Sequence, residues 1–544
     1  MKKQGQSLFW ADQLARDIKS RKRFSYMDKP VKKPEMFTVK TSASISGVLH
    51  IGRLSDTIRG ESVYRALKDS GVKSELIWVA EDMDPLRKIP EGVPKRFSEY
   101  IGSPVTDIPD PWGCHKTYAE HHVAEYTKVI DEFISTKMPR YSMREEYRKG
   151  NFNPYIKLLL ENTNTLRGIL DKFRKEPLSD TWSPWQPICK GCGKIMTPAV
   201  EKFENGKVHY ICKDYSFEKT VAKGCGHRGV NDPLKGEGKL TWRGGEWASQ
   251  WASWNVVSEG AGKEYQVPGS AFWVNGEIAE RILGFPQPAP IFYEHLIIDG
   301  QKMSASLGNV VYPKDWLEAA PPELLRFLYN KKLMKTRSFT WLGLPTLYND
   351  YDMHERVYFG SEQPKNPKET THMKRLYEIS QKGKPGKVQR VPFEFAAMVS
   401  SIFGRDIKKA AEIFRQSGHL RNPSKKDLES LGERLIHASK WVELHGKEYR
   451  IKVRDKPDSG FVSSLKKEQR EALKELGERL SRKPMKEEEL YNMFWDISKK
   501  HGITAPDFFK AAYGILINRE QGPKLAPLIL AIGQRKVSGI LEKV

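Results

Sequence analysis

No run of 18 apolar residues occurs in the 544 residues, so no membrane-spanning helix is expected. A secretory leader is not expected either. Met1-Lys2-Lys3-Gln4 runs into Leu8, Ala11, Leu14, Ala15 and Ile18, apolar at helical spacing and broken by charges, which reads as an amphipathic helix. Cysteine is scarce. Of five, four lie between positions 189 and 225, a pattern that fits metal binding in a reducing cytoplasm better than a disulfide scaffold. Acidic residues are outnumbered, 68 Asp and Glu against 91 Lys and Arg, and the formal charge of +23 implies a polyanionic partner, nucleic acid foremost. Internal repeats and low-complexity tracts are absent. What remains, 39% hydrophobic with 14 Trp and 23 Phe, is the composition of a folded protein of two to four domains.

Two short segments about 250 residues apart carry the chemistry. The first, Ser46-Gly47-Val48-Leu49-His50-Ile51-Gly52-Arg53, follows an apolar strand (36–40) and opens a helix from about Gly52. A His and a Gly at a helix start sit where backbone N–H groups and the helix dipole favour phosphate. The second, Lys302-Met303-Ser304-Ala305-Ser306, sets a lysine in a small-residue loop after Leu296-Ile297-Ile298, suited to a polyphosphate. Around the first segment, a strand, the helix 55–68 and a strand 75–79 read as a βαβ unit of a doubly wound sheet. A return strand is expected over 291–298. Beyond Gly360 the composition changes to a Lys/Pro/Gly-rich linker (364–392) and then to helical periodicity.

Cys189-Lys190-Gly191-Cys192-Gly193 is a C-x2-C knuckle of zinc type. Cys212 ends a strand-like run and Cys225-Gly226-His227 closes the group. Twelve residues separate Cys212 from Cys225, which leaves Cys225 and His227 both open as the fourth ligand. Cys114, apart from the others, reads as a packed thiol.

In this order the two segments resemble the HIGH and KMSKS motifs of class I aminoacyl-tRNA synthetases. Further blocks resemble class I lysyl-tRNA synthetases: Asp110-Pro111-Trp112-Gly113-Cys114-His115 with Tyr118-Ala119-Glu120-His121, Arg87-Lys88-Ile89-Pro90, Gly260-Ala261-Gly262-Lys263-Glu264, and Leu347-Tyr348-Asn349-Asp350-Tyr351. The likeness covers residues 7–360 well and the helical tail more thinly. It implies an α/β Rossmann-type catalytic core with an inserted zinc-bearing connective domain, followed by an all-α C-terminal domain. The expected boundaries are 1–100 and 236–345 for the two catalytic halves and 101–235 for the insertion, with the zinc module at about 184–229. A stem-contact segment and linker would span 346–392, and a helical anticodon-binding domain 393–544. The implied reaction is ATP-dependent ligation of L-lysine to lysine tRNA through lysyl-adenylate, by a cytoplasmic monomer with no membrane contact.

The resemblance implies ATP binding, with Mg2+, by Ser46, Gly47, His50, Gly52, Arg53, Lys302, Met303, Ser304 and Ser306, of which His50, Gly52, Lys302 and Ser304 carry catalysis. Lysine needs a carboxylate against its ammonium, because a buried unpaired charge is very costly. Glu246, Glu264 and Asp82 are the candidates, with Trp251, Tyr265 and Tyr293 as walls and Ser42 and Ser44 beside them. A structural Zn2+ would sit on Cys189, Cys192, Cys212 and Cys225. Departures from the family pattern cluster at this site: Arg53 where Asn is common, Ala305 and Leu307 where lysines are common, Tyr265 in place of a His, and Trp242-Arg243-Gly244-Gly245-Glu246-Trp247 for a W-R-x-D-W block. They leave two alternatives, an RNA-binding or regulatory paralogue without activation and a class I synthetase for another amino acid. Arg53 is expected either to replace the missing phosphate-binding charge or to pair with Asp56 or solvent.

Overall fold

The computed structural model describes residues 8–45, 49–90, 92–303 and 308–544. They fall in two compact units. The first comprises Met1–Pro313, Leu325–Ser338 and Thr371–Gly383. Its centre is a five-stranded sheet of β1 (Phe37–Ser44), β2 (Ser74–Glu81), β3 (Arg140–Ser142), β4 (Val256–Gly262) and β5 (Ala289–Tyr293). The spatial order is β5-β4-β1-β2-β3, and all four pairings are parallel. Leu76 to Ala80 of β2 form an unbroken buried run, as a parallel strand covered on both faces requires.

Strand β1 runs four residues past the expected end at Lys40 and pairs with β2 from Phe37↔Ser74 to Ser44↔Glu81. Thr41 stays in the buried sheet because its hydroxyl donates to the Ile77 carbonyl at 3.0 Å. Helix α1 (Trp10–Ser20) packs against α2 (Ile51–Asp69), which follows β1 and crosses to β2. Chain order reverses between β1 and β4, which makes the carboxyl ends of those strands the switch point of the sheet. Glu61 anchors α2 there, accepting from buried Arg326, from Ser135 N at 3.1 Å and from Thr136 N at 2.9 Å.

The expected single strand over 291–298 is two. After Tyr293 the half-exposed Glu294 and His295 leave the central sheet, and Leu296–Ile298 turns back on Gln301–Lys302 as a hairpin. Asp299 (φ 49°) and Gly300 (φ 79°) make its two-residue turn, a pairing that matches the twist of the flanking strands. Between β3 and β4 lies an antiparallel sheet of Pro198–Glu204, Lys207–Cys212 and Arg228–Asn231. Trp185 ties it down, donating Nε1–H to Asn231 Oδ1 at 2.8 Å.

The second unit comprises Lys314–Leu324, Phe339–Thr370 and Lys384–Val544. From Lys384 onward its regular structure is entirely helical. Helix starts are capped by Asp406, Thr504 and the Ser424/Asp427 capping box. Leu525–Ile532 is buried along its whole length and serves as a core helix. Helix Leu344–Tyr358 is held within this unit by two ion pairs: Arg434 grips Asp352 with two bonds of 2.6 and 2.8 Å, and Arg390 reaches Glu355 at 2.7 Å. The stretch 346–392 thus divides, with 346–370 in the helical unit and 371–383 in the first. Among the described residues no helix is long and apolar enough to cross a membrane.

Candidate active site

The switch point holds a cavity of about 500 Å³. Its floor is the carboxyl ends of β1, β2 and β4 and its sides are α2, the 242–247 turn and the Lys302 hairpin. The two motifs meet at its rim. A Cβ on Gly52 would lie 2.6 Å from Met303 Cε and 2.9 Å from the His50 ring, so the bare Cα of Gly52 is what lets the methionine seat against the helix start. Val311 O accepts from Ile51 N at 3.0 Å and Tyr329 Oη donates to Ile51 O at 2.8 Å, fixing the same turn from the far side.

His50 is the N-cap of α2. Burial and, secondarily, the charge of Arg53 hold its pKa down to about 4, so the ring is neutral at physiological pH. Its Nδ1 is buried and meets no partner among the described residues. Arg53, one residue past Gly52, donates to Ser44 O at 2.9 Å and Tyr126 Oη at 2.8 Å. The pairing with Asp56 allowed by the sequence is not what positions it. A neutral imidazole and a guanidinium on the first turn of a helix are groups suited to phosphate.

Deeper in, the cavity is dominated by carboxylates. Asp56, Glu81, Asp84, Glu246 and Glu259 face it with only two lysines among them. Lys40, fully buried, lies 2.5 Å from Glu259 and 3.4 Å from Glu81. Lys239 lies 3.1 Å from Asp84 and 3.3 Å from Glu246. Asp56 reaches the floor because β4 has glycine opposite it. A Cβ on Gly260 would sit 1.7 Å from Asp56 Oδ1, whose carboxylate accepts from Ser42 N at 3.1 Å. Burial pushes Asp56 up to about 7 and, against the pull of Lys239, pushes Glu246 up to about 8. Burial likewise raises Glu81. Burial works against the charge of Lys40, but Glu259 and Glu81 outweigh it and raise its pKa. Acids strained upward beside firmly charged lysines mark a site short of positive charge.

Of the residues singled out from sequence, Ser42, Ser44, His50, Gly52, Arg53, Glu246, Glu264, Tyr265, Tyr293, Lys302 and Met303 line this one cavity. Ser46, Gly47, Ser304 and Ser306 lie outside the described residues, as do Ala305 and Leu307. Two are placed elsewhere. Asp82 points off the sheet end and accepts from Arg144 N at 3.0 Å. Trp251 is fully buried behind the pocket, where its Nε1–H is hydrogen-bonded to Glu259. It sets a carboxylate and is not a wall. The walls are Trp242, Trp247 and Tyr265, with Trp247 and Tyr265 centroids 5.2 Å apart. Glu264 is half exposed and pairs with His295 at 3.3 Å. The sequence leaves the acidic stretch Glu81-Asp82-Met83-Asp84 open between a substrate role and an exposed loop, and its reading missed Lys40, Asp56, Lys239 and Glu259 as pocket residues. Lysine inside an apolar strand was the available signal, since Lys40 sits among Phe37, Val39 and Ala43.

The four thiols of Cys189, Cys192, Cys212 and Cys225 lie within 4.8 Å of one another. Cys189 and Cys225 sulfurs are 3.6 Å apart and those of Cys192 and Cys212 3.7 Å. Bonds of about 2.3 Å to a tetrahedral ion imply a sulfur spacing of about 3.8 Å, so the donor set fits zinc. Gly191 N and Cys225 N donate to Cys189 Sγ and Cys212 Sγ, each at 3.3 Å. Cys225 completes the group, and His227 stays outside it. The reading of Cys114 as packed is corrected. It is exposed, with its sulfur 3.0 Å from His121 Nδ1 and 3.2 Å from His115 Nδ1. With Asp110 these residues form a second donor group of metal type, because Asp110 caps the turn and gathers the two imidazoles onto the thiol.

A parallel sheet whose switch-point cavity joins a His-x-Gly helix start to a Lys-Met hairpin end defines the class I synthetase fold, with a helical C-terminal region. A profile of the family described as tRNA synthetases class I (K) matches residues 8–383, and the chain belongs to that family. It is similar to the lysine--tRNA ligase of Thermococcus kodakarensis, with 33% identity over 92% of this chain and 95% of that protein. The lysine--tRNA ligases of Methanocaldococcus jannaschii (30%, covering 97% and 98%) and Methanosphaera stadtmanae (28%, covering 97% of each) are similar over nearly their whole length.

Proposed function

We propose that this protein activates L-lysine with ATP and ligates it to lysine tRNA. The observation that carries the lysine assignment is the surplus of buried carboxylates next to the His50/Gly52–Met303 junction, and the near full-length similarity to lysine--tRNA ligases agrees with it. In activation the lysine carboxylate attacks the α-phosphate and pyrophosphate leaves, giving lysyl-adenylate. Transfer to the terminal adenosine of the tRNA follows. Little covalent work falls to the protein, so positioning and charge stabilisation set the rate. Neutral His50 donates to phosphate oxygens, Gly52 admits the nucleotide close to the backbone, and Arg53 and Lys302 balance the charge developing on pyrophosphate, with Ser46, Gly47, Met303, Ser304 and Ser306 completing the cradle. Mg2+ accompanies ATP. Glu246 and Asp84 hold one ammonium of lysine, Glu81 and Glu259 face the other, and Trp247, Tyr265 and Tyr293 enclose the methylenes between.

The four-thiol knuckle holds one structural zinc within the connective insertion (about 101–235), and the Asp110/Cys114/His115/His121 group offers a second metal position. The helical region from about 393 reads the anticodon, and residues 346–392 serve the stem contact. The basic excess favours tRNA along the surface. The protein acts as a cytoplasmic monomer. Charging of lysine tRNA with each of the twenty amino acids tests this. Lysine alone should be esterified, in an ATP-dependent manner. Charging with another amino acid, or ATP binding without charging, would replace the reading with one of its two alternatives.

A further inference from the structure

Each buried lysine of the pocket touches two carboxylates. Lys40 reaches from β1 to Glu259 on β4 and Glu81 on β2, and Lys239 bridges Asp84 after β2 and Glu246 in the 242–247 turn. The second oxygens of three of these acids go to neutral donors: Gln250 Nε2 at 3.2 Å on Glu81, Trp251 Nε1 on Glu259, and Ser44 Oγ at 2.9 Å on Asp84. Each pair therefore has one charge uncompensated. From α2, Asp56 is offset by Arg59 one turn on, itself buried between Tyr293 (4.5 Å) and Tyr329 (4.9 Å). On the floor of the pocket five carboxylates thus meet three cations, two positive charges short, while Arg53 and Lys302 stand at the rim beside His50 and Met303. The other titratable groups facing it are the rim cations Arg53 and Lys302, neutral His50, the phenols Tyr265 and Tyr293, the rim pair Glu264–His295 and, beside Glu246, the phenol of Tyr147.

We propose that Lys40 and Lys239 are specificity-determining residues: by sharing one ammonium between two carboxylates each, they tune the pocket to a substrate carrying two ammonium groups, so that amino acids with one are rejected. This rests on the reading of the cavity as the lysine site. The lysines touch no substrate; they set how many negative charges await it. Glu246 already holds a proton near neutral pH; without Lys239 the Asp84–Glu246 pair holds it more tightly, and it must leave before a substrate ammonium enters.

The test is the lysine KM of the full-length enzyme in tRNA charging, at saturating ATP and lysine tRNA, from about pH 6 to about pH 8.5. For Lys239→Met the KM should exceed the wild-type value by at least ~10-fold at the acid end, with the gap narrowing toward the alkaline end, one pH unit being worth up to a factor of ten per proton. The turnover number should stay within about threefold, and Lys239→Arg should follow the wild-type profile. A KM raised by one factor at every pH, equally for Met and Arg, would reduce Lys239 to a structural residue and overturn the proposal. Should the variant fail to fold, the wild-type complex with lysine tRNA decides. Binding enthalpies in two buffers of different ionisation enthalpy should reveal more protons released by lysine than by L-norleucine, and equal release contradicts the proposal. Wild-type enzyme that charges no lysine sinks the functional reading itself, whereas charging with a flat KM profile in both proteins sinks only this inference.

Discussion

The thiol knuckle and the acid pocket both crowd anionic donors, but they resolve the crowding differently. In the knuckle, four sulfurs within 4.8 Å enclose a space sized for one metal ion, with backbone N–H groups of Gly191 and Cys225 turned onto them. In the pocket, five carboxylates surround lysines supplied by the chain itself and remain under-neutralised. In the reading proposed above, the first set keeps a structural cation, and the charge missing from the second is what the substrate brings. A cluster of donors alone does not distinguish these uses; the count of resident cations does.

The sharpest break between the two comes from removing a ligand. Cys192→Ser, or chelation, should unfold the 184–229 module, since structural zinc contributes on the order of 10 kcal/mol to folding such elements. Nucleotide binding should survive. Elemental analysis and proteolysis of the insertion check it, and full zinc retention with an intact module would contradict it. Next in size are the phosphate-facing cations: Lys302→Ala or Arg53→Ala should slow activation by ~10²-fold, about 2.7 kcal/mol in the barrier, with little effect on folding. Pre-steady-state adenylate formation measures this.

Legibility from sequence divides along the same line. The knuckle was readable because its first half is local, two cysteines and two glycines within five residues, and folding had only to choose between Cys225 and His227. The phosphate rim was readable because a helix start carries its chemistry in consecutive positions. The acid floor was not. Its members come from β1, β2, β4 and a turn near position 246, and strand order alone makes Lys40 a neighbour of both Glu81 and Glu259. Asp82 and Glu81 are adjacent in sequence, yet only Glu81 faces the cavity, because β2 ends at Glu81 and Asp82 lies in the turn beyond it, where it accepts from Arg144 N. Trp247 and Trp251 stand one turn apart on one helix, and that spacing does not separate the wall residue Trp247 from the Glu259-holding Trp251.

Smaller effects probe the floor itself. Gly260→Ala should displace Asp56 from its place against Ser42 and lower stability by ~2 kcal/mol through overpacking, measured by denaturant unfolding. The mildest perturbation is pH. With Glu246 near 8 and Asp56 near 7, protons compete with the substrate ammonium groups, so the lysine KM should rise by ~10-fold as pH falls from about 8 to about 6. Stability of the free protein should move the opposite way. Carboxyls raised in the folded state favour folding at low pH, and that contribution falls from about pH 4, the unfolded value, and is gone once pH has risen through the folded values of about 7 and about 8.

The most direct measurement of the central claim is the specificity constant for lysine against L-norleucine, which is lysine without its ε-ammonium, in tRNA-dependent adenylate formation. A pocket short of two positive charges leaves a carboxylate pair unmatched when norleucine binds, so lysine should be favoured by at least ~10⁴-fold. A ratio within about tenfold of unity would mean that the buried carboxylates do not select the substrate, and the account of this site would fail.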